Sequence, residues 1–473
     1  MNWTNCFSNE RFGVKTQDSG IRTEYERDWD RIIFSSAFRR LQNKTQVFPL
    51  PDEVFVHNRL THSLEVASVG RSLGKLVGKK ISTFPEVNAI DEARKFYRNH
   101  LKNVIASACL AHDIGNPAFG HSGEDAISKF FVDKETKKAE DIEFRKLFED
   151  YEWSDLKSFE GNANSLRILT KKANGRLEGS FRLTYSTLGA ILKYPCESLA
   201  TNEDLGIHRK KYGFFHIDKE VFIDVATKLN MIREDVKDEV VENGKKVLKD
   251  RVVFKRHPFV YLVEAADDIC YNIIDFEDAH RLGILDFQTV YNNLLELVKL
   301  DTVENYKNVE INLDIIKDDK NETIAYLRAK AINYLTKRCA DIFLDKKDAI
   351  IQGNFNSDLI SEIKEAEDVI KRIKDISAKS IYNAYSVSKI EIAGFRIMSG
   401  LIEDFIEAAL KPKEERQKRH KKVLNLLPSQ YRFDESSTPY TKVMHIIDFV
   451  SGMTDLYALK MYKNLRGIEI PTF

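Results

Sequence analysis

Cysteine is scarce in this chain: Cys6, Cys109, Cys196, Cys270 and Cys339 are five of 473 residues, widely scattered, with no CxxC pair. An odd, dispersed set excludes a disulfide framework and a thiolate zinc site, and it reads as a protein of a reducing compartment. Proline and glycine are sparse too, at 10 and 21 residues, which leaves room for long helices. No apolar run approaches the ~20 residues that a membrane-crossing helix needs. The start, Met1-Asn2-Trp3-Thr4-Asn5-Cys6, lacks the basic residues and apolar stretch of a signal peptide. A soluble, cytoplasmic chain with no membrane partner is therefore expected. An excess of one charge is also missing. Lys+Arg and Asp+Glu both total 73, so no global cationic field exists to draw nucleic acid or anionic lipid, and any anion site must be a local cluster.

What is present suits a globular protein. Hydrophobic residues make up 43% and charged residues 31%, enough for a large core under a solvated surface. Length alone suggests about three domains at ~150 residues each. No repeat, low-complexity tract or Gly/Ser/Pro linker divides the chain, however, and one large helical domain over 1–473 fits better. Most apolar spacing is helical: His62, Val66, Val69, Leu73 and Leu76 recur at steps of four and three, as do Leu262, Ala266, Ile269, Ile273 and Phe276. From roughly Asn321 to Lys389 the chain is rich in charge, Ile and Ala and has no proline, which reads as long amphipathic helices. One segment departs from this pattern. Val240-Val241-Glu242-Asn243-Gly244-Lys245-Lys246-Val247 places β-branched residues around an Asn-Gly pair, so a small β-hairpin is expected at 236–254 in a mostly α-helical fold.

The most informative segment is Ala111-His112-Asp113-Ile114-Gly115-Asn116-Pro117-Ala118-Phe119-Gly120-His121-Ser122-Gly123-Glu124. An apolar helix runs into His112-Asp113 and is stopped by Gly115 and Pro117. Alone, a His-Asp dipeptide is weak, since a histidine near an apolar face is more often a hydrogen-bonded core residue. Its company changes the weighting. His62 lies on the inward stripe of an earlier helix, where an unpaired imidazole is costly. Asp267 and Asp268 interrupt a later apolar helix, where buried acids need a cation or a hydrogen-bond network.

The series His62…His112-Asp113…Asp267 resembles the metal signature of the HD-domain phosphohydrolase superfamily. Flanking motifs narrow the resemblance to the deoxyguanosinetriphosphate triphosphohydrolases: Arg22-Thr23-Glu24-Tyr25-Glu26-Arg27-Asp28, Phe38-Arg39-Arg40-Leu41-Gln42-Asn43-Lys44-Thr45-Gln46-Val47-Phe48, Asn58-Arg59-Leu60-Thr61-His62-Ser63, Phe159-Glu160-Gly161-Asn162-Ala163, Lys193-Tyr194-Pro195, Lys211-Tyr212-Gly213 and Ser451-Gly452-Met453-Thr454-Asp455. They run in family order across nearly the whole chain. The resemblance implies an HD metal-binding core over about 59–280 and a C-terminal helical part over about 321–473. It implies hydrolysis of a deoxynucleoside triphosphate, dGTP favoured, to deoxynucleoside and inorganic triphosphate. A homo-oligomer is implied as well, with a hexamer among the assemblies it allows.

Two imidazoles and two carboxylates make a mixed N/O set suited to Mn²⁺, Mg²⁺ or Fe²⁺ rather than to a thiolate-seeking metal. Of the adjacent acids, Asp267 is the expected ligand, because Tyr271 and Asp275 follow it at four-residue steps on one helix face. The resemblance implies that these two touch the sugar 3′-hydroxyl; otherwise they read as a solvated stripe. His121 and Glu124 lie three apart, a pairing that tunes an imidazole for acid–base work, and the resemblance implies that they act at the α-phosphate. A plainer role for Glu124 is to favour the N-terminus of the next helix. The resemblance implies that Arg59, Lys193 and Lys211, with Asn162, contact the triphosphate, that Gln46 faces the deoxyribose, and that Val47 lines the base pocket. Gly70-Arg71-Ser72-Leu73-Gly74-Lys75-Leu76 suggests a phosphate loop, but its spacing is short and Leu76 stands where Ser/Thr is required. The basic run Lys411–Lys422 is read as a solvated helix face, with a regulatory-nucleotide or nucleic-acid site as the sharper alternative. Two rivals stay open: an HD phosphohydrolase of broad dNTP or nucleoside monophosphate specificity, and a nucleotide-sensing or nucleic-acid-binding protein.

Overall fold

A computed structural model describes residues 1–14, 21–48, 56–172, 179–242, 245–302 and 306–469. Helices dominate, and the one sheet among the described residues is a two-stranded antiparallel ribbon, Val236–Glu242 against Lys245–Arg251. Its register pairs Val236 with Arg251 and Glu242 with Lys245, which leaves the expected turn pair Asn243-Gly244 as the connection, outside the described residues. The strands stop at Arg251, and Val253 and Phe254 instead bridge to Cys196 and Arg233.

Three helices form the frame of the first core. The first, Arg59–Ile81, is started by Asn58, whose side chain accepts from the Leu60 and Thr61 amides at 3.0 Å each, while the Thr61 hydroxyl accepts from the Asn58 amide at 3.0 Å. These reciprocal bonds satisfy amides that a helix N-terminus leaves free. The second, Leu101–Ala111, is buried at every position except Lys102 and Asn103. The third, Pro258–Arg281, begins with proline at a position where its missing N–H costs nothing.

The first two helices lie close together because Gly70, Gly74 and Gly78 form a ridge of missing side chains. A Cβ on Gly70 would stand 2.4 Å from Cys109 Sγ, one on Gly74 2.8 Å from Lys102 Cα, and one on Gly78 2.2 Å from the Tyr97 carbonyl oxygen. The glycines of the loop-like motif are thus helix-packing residues. They also rotate the buried face. Centred on this ridge rather than on the His62–Leu73 stripe, it leaves Leu76 at its edge, 41% exposed, and buries Val77 instead.

A second core joins Ala118, Ile127, Phe131 and Trp153 to the C-terminal helices Tyr385–Leu410, Pro439–Ser451 and Asp455–Leu465. Gly394 permits that contact, since a Cβ there would meet the Phe119 side chain at 2.5 Å. The proline-free stretch is less continuous than its composition suggests. Lys320–Asp345 is a long helix, but the next one ends at Ile351, and Gly353 turns the chain with φ 74°. Within the basic run, Arg416 pairs with Glu435 and Arg419 with Asp404 at 2.8 Å, so part of it is structural.

Gly78→Ala should destabilise the protein although alanine is the better helix former. The gain of about 1 kcal/mol in propensity is outweighed by overpacking of up to about 3 kcal/mol against a backbone oxygen. A lower urea midpoint at unchanged slope is the expected result; a raised midpoint would show that the two helices separate freely.

Candidate active site and metal centre

The three core helices deliver four side chains to a common point. His62 comes from the first turn of the Arg59–Ile81 helix, His112 and Asp113 follow the end of the Leu101–Ala111 helix, and Asp267 projects from the middle of Pro258–Arg281. His62, His112 and Asp113 form a group that can hold a metal ion, their ligand atoms lying within 4.8 Å of one another. Asp267 Oδ1 joins them at 3.1 Å from His62 Nε2 and 3.4 Å from His112 Nε2.

The donor atoms suit a cation. His112 donates from Nδ1 to the Cys109 carbonyl at 2.6 Å, which fixes the ring so that Nε2 faces the cluster. That Nε2 is buried without a hydrogen-bond partner, an orphan that a bound ion would satisfy. Asp113 is braced on both oxygens, by Arg59 Nη1 and by the Asn116 amide, each at 2.7 Å. Burial works against the charges, yet the neighbours win. His112 is pushed up to about 9 because Asp113 and Asp267 outweigh its desolvation. Burial would raise Asp267, but His112 and His62 hold its carboxyl well below the usual carboxylate range. Its neighbour Asp268 goes the other way, raised by burial and by Glu264. Only one of the two adjacent acids therefore keeps its charge readily.

His121 begins the helix His121–Val132 after two residues in the left-handed region, Phe119 at φ 61° and Gly120 at φ 58°. Its Nδ1 donates to Glu124 Oε2 at 2.8 Å, and the other Glu124 oxygen accepts from the Gly161 amide at 2.9 Å. Glu124 thus serves the imidazole and a neighbouring helix rather than its own helix end. The close approach requires glycine at 161, where a Cβ would stand 2.6 Å from Glu124 Oε1. Bonding to Glu124 raises the pKa of His121, whose side chain is 83% exposed, so it faces whatever enters.

All the expected site residues except His62 and Asp275 line one cavity of about 500 Å³. His62 lies beneath its wall, 2% exposed. Asp275 is one layer back, 4% exposed, and accepts at 3.3 Å from the hydroxyl of Tyr382, which does line the cavity. Burial, with Asp278 nearby, raises the pKa of Asp275 well above normal. Tyr271 stacks on Tyr382 with ring centres 5.5 Å apart. Gln46 presents a buried Oε1 with no partner. Lys211 Nζ lies 2.8 Å from Glu160, which also accepts from Asn162 at 2.6 Å, and Lys193 Nζ lies 3.3 Å from Glu264. In both lysines the carboxylate outweighs burial and raises the pKa. Arg59 is 5% exposed and engaged with Asp113. The sequence reading missed Tyr382, Val387, Ile390 and Glu391, which close the cavity from the C-terminal side; their stretch carried only a general helical pattern.

A helical body that converges two imidazoles and two acids on one cavity is the arrangement of an HD-type hydrolase, and two family models agree with this. The HD domain matches residues 59–174, and the phosphohydrolase-associated domain matches 362–464. Full-length relatives go further. A deoxyguanosinetriphosphate triphosphohydrolase-like protein of Synechocystis is 37% identical, covering 99% of this chain and 100% of that protein. Proteins of the same description from Pseudomonas aeruginosa and Listeria monocytogenes are 37% and 32% identical, covering 100% and 99% of this chain and the whole of each relative. The chain belongs to the deoxyguanosinetriphosphate triphosphohydrolase-like family of HD-domain proteins.

Because His112 holds a proton up to pH about 9, an incoming divalent ion has to displace it. Affinity should climb by about tenfold per pH unit between roughly pH 6.5 and 8.5, and binding should release protons. Calorimetry of Mn²⁺ binding in two buffers of different ionisation enthalpy reads both. A flat affinity without proton release would remove His112 from the ligand set.

Proposed function

We propose that the protein hydrolyses a deoxynucleoside triphosphate, dGTP foremost, to the deoxynucleoside and inorganic triphosphate. One observation carries the reading: the metal-capable cluster, the His121–Glu124 pair and two carboxylate-held lysines open onto the same cavity in a chain of this family. His62, His112, Asp113 and Asp267 would hold a divalent ion, Mn²⁺ or Mg²⁺ with Fe²⁺ as an alternative. When bound, such an ion supplies a Lewis acid at the α-phosphate and an activated water. Lys193, Lys211 and Asn162 receive the triphosphate, taking over from Glu264 and Glu160 as its charge arrives, and Arg59 steadies Asp113 at its edge. His121, kept basic by Glu124, manages the proton that the departing 5′-oxygen requires. Gln46 and Tyr271 face the sugar, Asp275 acts on it through Tyr382, and Val47 lines the base end. The chain works as one unit over 1–473, in the cytoplasm, as a homo-oligomer.

Incubation with each dNTP and NTP plus Mn²⁺ or Mg²⁺, in ¹⁸O-labelled water, tests the reaction by product mass. Label is expected in triphosphate and not in the nucleoside. Stepwise orthophosphate release, or attack on a monophosphate only, would reject this reading in favour of another HD phosphohydrolase.

Sugar reading has its own test. If the Tyr271–Tyr382–Asp275 group holds the 3′-hydroxyl, its removal strands buried polar groups at about 1–3 kcal/mol, whereas a ribonucleotide fails because its 2′-hydroxyl crowds Gln46. A 2′,3′-dideoxy substrate should then lose about 5- to 150-fold in kcat/KM, and Asp275→Ala should narrow that gap, while Gln46→Ala should narrow the gap between dGTP and GTP. Equal rates for dGTP, GTP and dideoxy-GTP on the unaltered protein would withdraw these assignments.

A further inference from the structure

Asp455 does not line the cavity, yet its carboxylate holds two pieces of the wall. Oδ2 accepts from the Thr45 amide at 2.8 Å and the Thr45 hydroxyl at 2.6 Å, and Oδ1 accepts from the Phe119 amide at 3.0 Å. Thr45 immediately precedes Gln46 and Val47. Phe119 opens the left-handed turn that launches His121. A second fastening runs alongside: Lys44 Nζ donates to the Asn116 carbonyl at 2.5 Å and to the Ser451 carbonyl at 3.1 Å. Asn164 completes it, donating to the Gly115 carbonyl at 2.6 Å and to the Ser451 hydroxyl at 3.3 Å. Residues far apart in the chain thus meet at the junction of the last two helices, and Asp455 itself is 6% exposed.

We propose that Asp455 is a positioning residue that sets the register between the sugar-facing segment 45–47 and the His121 turn. Deoxyribose selection and proton handling are thereby both made dependent on the C-terminal helices. The inference rests on the function proposed above for those two segments. Its physical basis is the donor count. One carboxylate with two acceptor oxygens satisfies three donors, two of them backbone amides, in segments whose β-pairing among the described residues is the single bridge between Thr45 and Asn58. Phe119 in particular keeps a backbone conformation that L side chains avoid, which persists only where surrounding bonds enforce it.

Asp455→Asn keeps the shape but turns an NH₂ group toward one of the two segments, and Thr45→Val removes only the hydroxyl bond on the 45–47 side. Hydrogen-exchange mass spectrometry and steady-state kinetics are read together on the full chain. Asp155→Asn serves as control, because Asp155 is a buried carboxylate bonded to Ser198, Tyr440 and the His216 amide, none of which lines the cavity. For Asp455→Asn, faster exchange is expected in peptides spanning 41–48 and 117–124. The deoxy-to-ribo ratio of kcat/KM should fall by about 10-fold and kcat by about 10- to 100-fold, with Mn²⁺ binding retained. Thr45→Val should lower the ratio while sparing exchange at 117–124, and it decides the matter if Asp455→Asn does not fold. Asp155→Asn should lower stability and leave the ratio unchanged. Unaltered exchange in both segments, or a ratio that stays at the wild-type value in Asp455→Asn and Thr45→Val, overturns the proposal. Absence of any dNTP hydrolysis by the wild type instead rejects the proposed function, and the exchange arm still decides whether Asp455 holds the two segments.

Discussion

Two imidazoles and two carboxylates must share one buried point while standing on three different helices, and most of the architecture follows from that requirement. Removing a charge from water costs several kcal/mol even after relaxation, so none of these groups is tolerable alone. Together they offset one another: His62 and His112 hold Asp267 ionised, and the carboxylates in turn hold His112 protonated or ready for a cation. The arrangement needs helix axes close enough for side chains to meet, and the ridge of Gly70, Gly74 and Gly78 allows the Arg59–Ile81 helix to reach its neighbour. It also needs aimed donors, which the Cys109 carbonyl behind His112 and the Arg59–Asn116 brace on Asp113 provide.

Around that point each lysine of the cavity is paired with a carboxylate. Lys193 faces Glu264, which also binds Arg256 at 2.8 Å, and Lys211 faces Glu160, which also binds Asn162. Each cation is therefore held in place beforehand instead of wandering in solvent, so less side-chain freedom is lost when an anionic ligand arrives. The carboxylates set a threshold as well, since a ligand of low charge competes poorly for lysines already paired.

Much of this was legible from residue types and spacing. The His62 and Leu262 stripes identified two core helices, and the Asn-Gly pair between β-branched residues located the hairpin. The run of motifs named the cluster residues. Periodicity placed His62, Val66, Val69 and Leu73 on the buried face but also put Leu76 inward, because it weighs apolar side chains and gives glycine no credit for the close packing it permits. The break at Gly353 was passed over because the charge, Ile and Ala content of 321 to 389 as a whole masked the local turn-forming run Gly353-Asn354-Phe355-Asn356-Ser357-Asp358, where a left-handed residue stops the helix. Asp275 kept its helical spacing from Asp267, yet spacing along one helix says nothing of Tyr382 arriving from elsewhere to cover it.

The sequence by itself determined which side chains supply the donor atoms of the cluster, since a donor atom belongs to its residue type, and it determined the helical class, since the period of apolar residues is a local property. Only the tertiary structure decided that Tyr382, Val387, Ile390 and Glu391 close the cavity, and that Asp455 ties residue 45 to residue 119. Those outcomes depend on distances between segments hundreds of residues apart, and such distances exist only once helices have packed against one another.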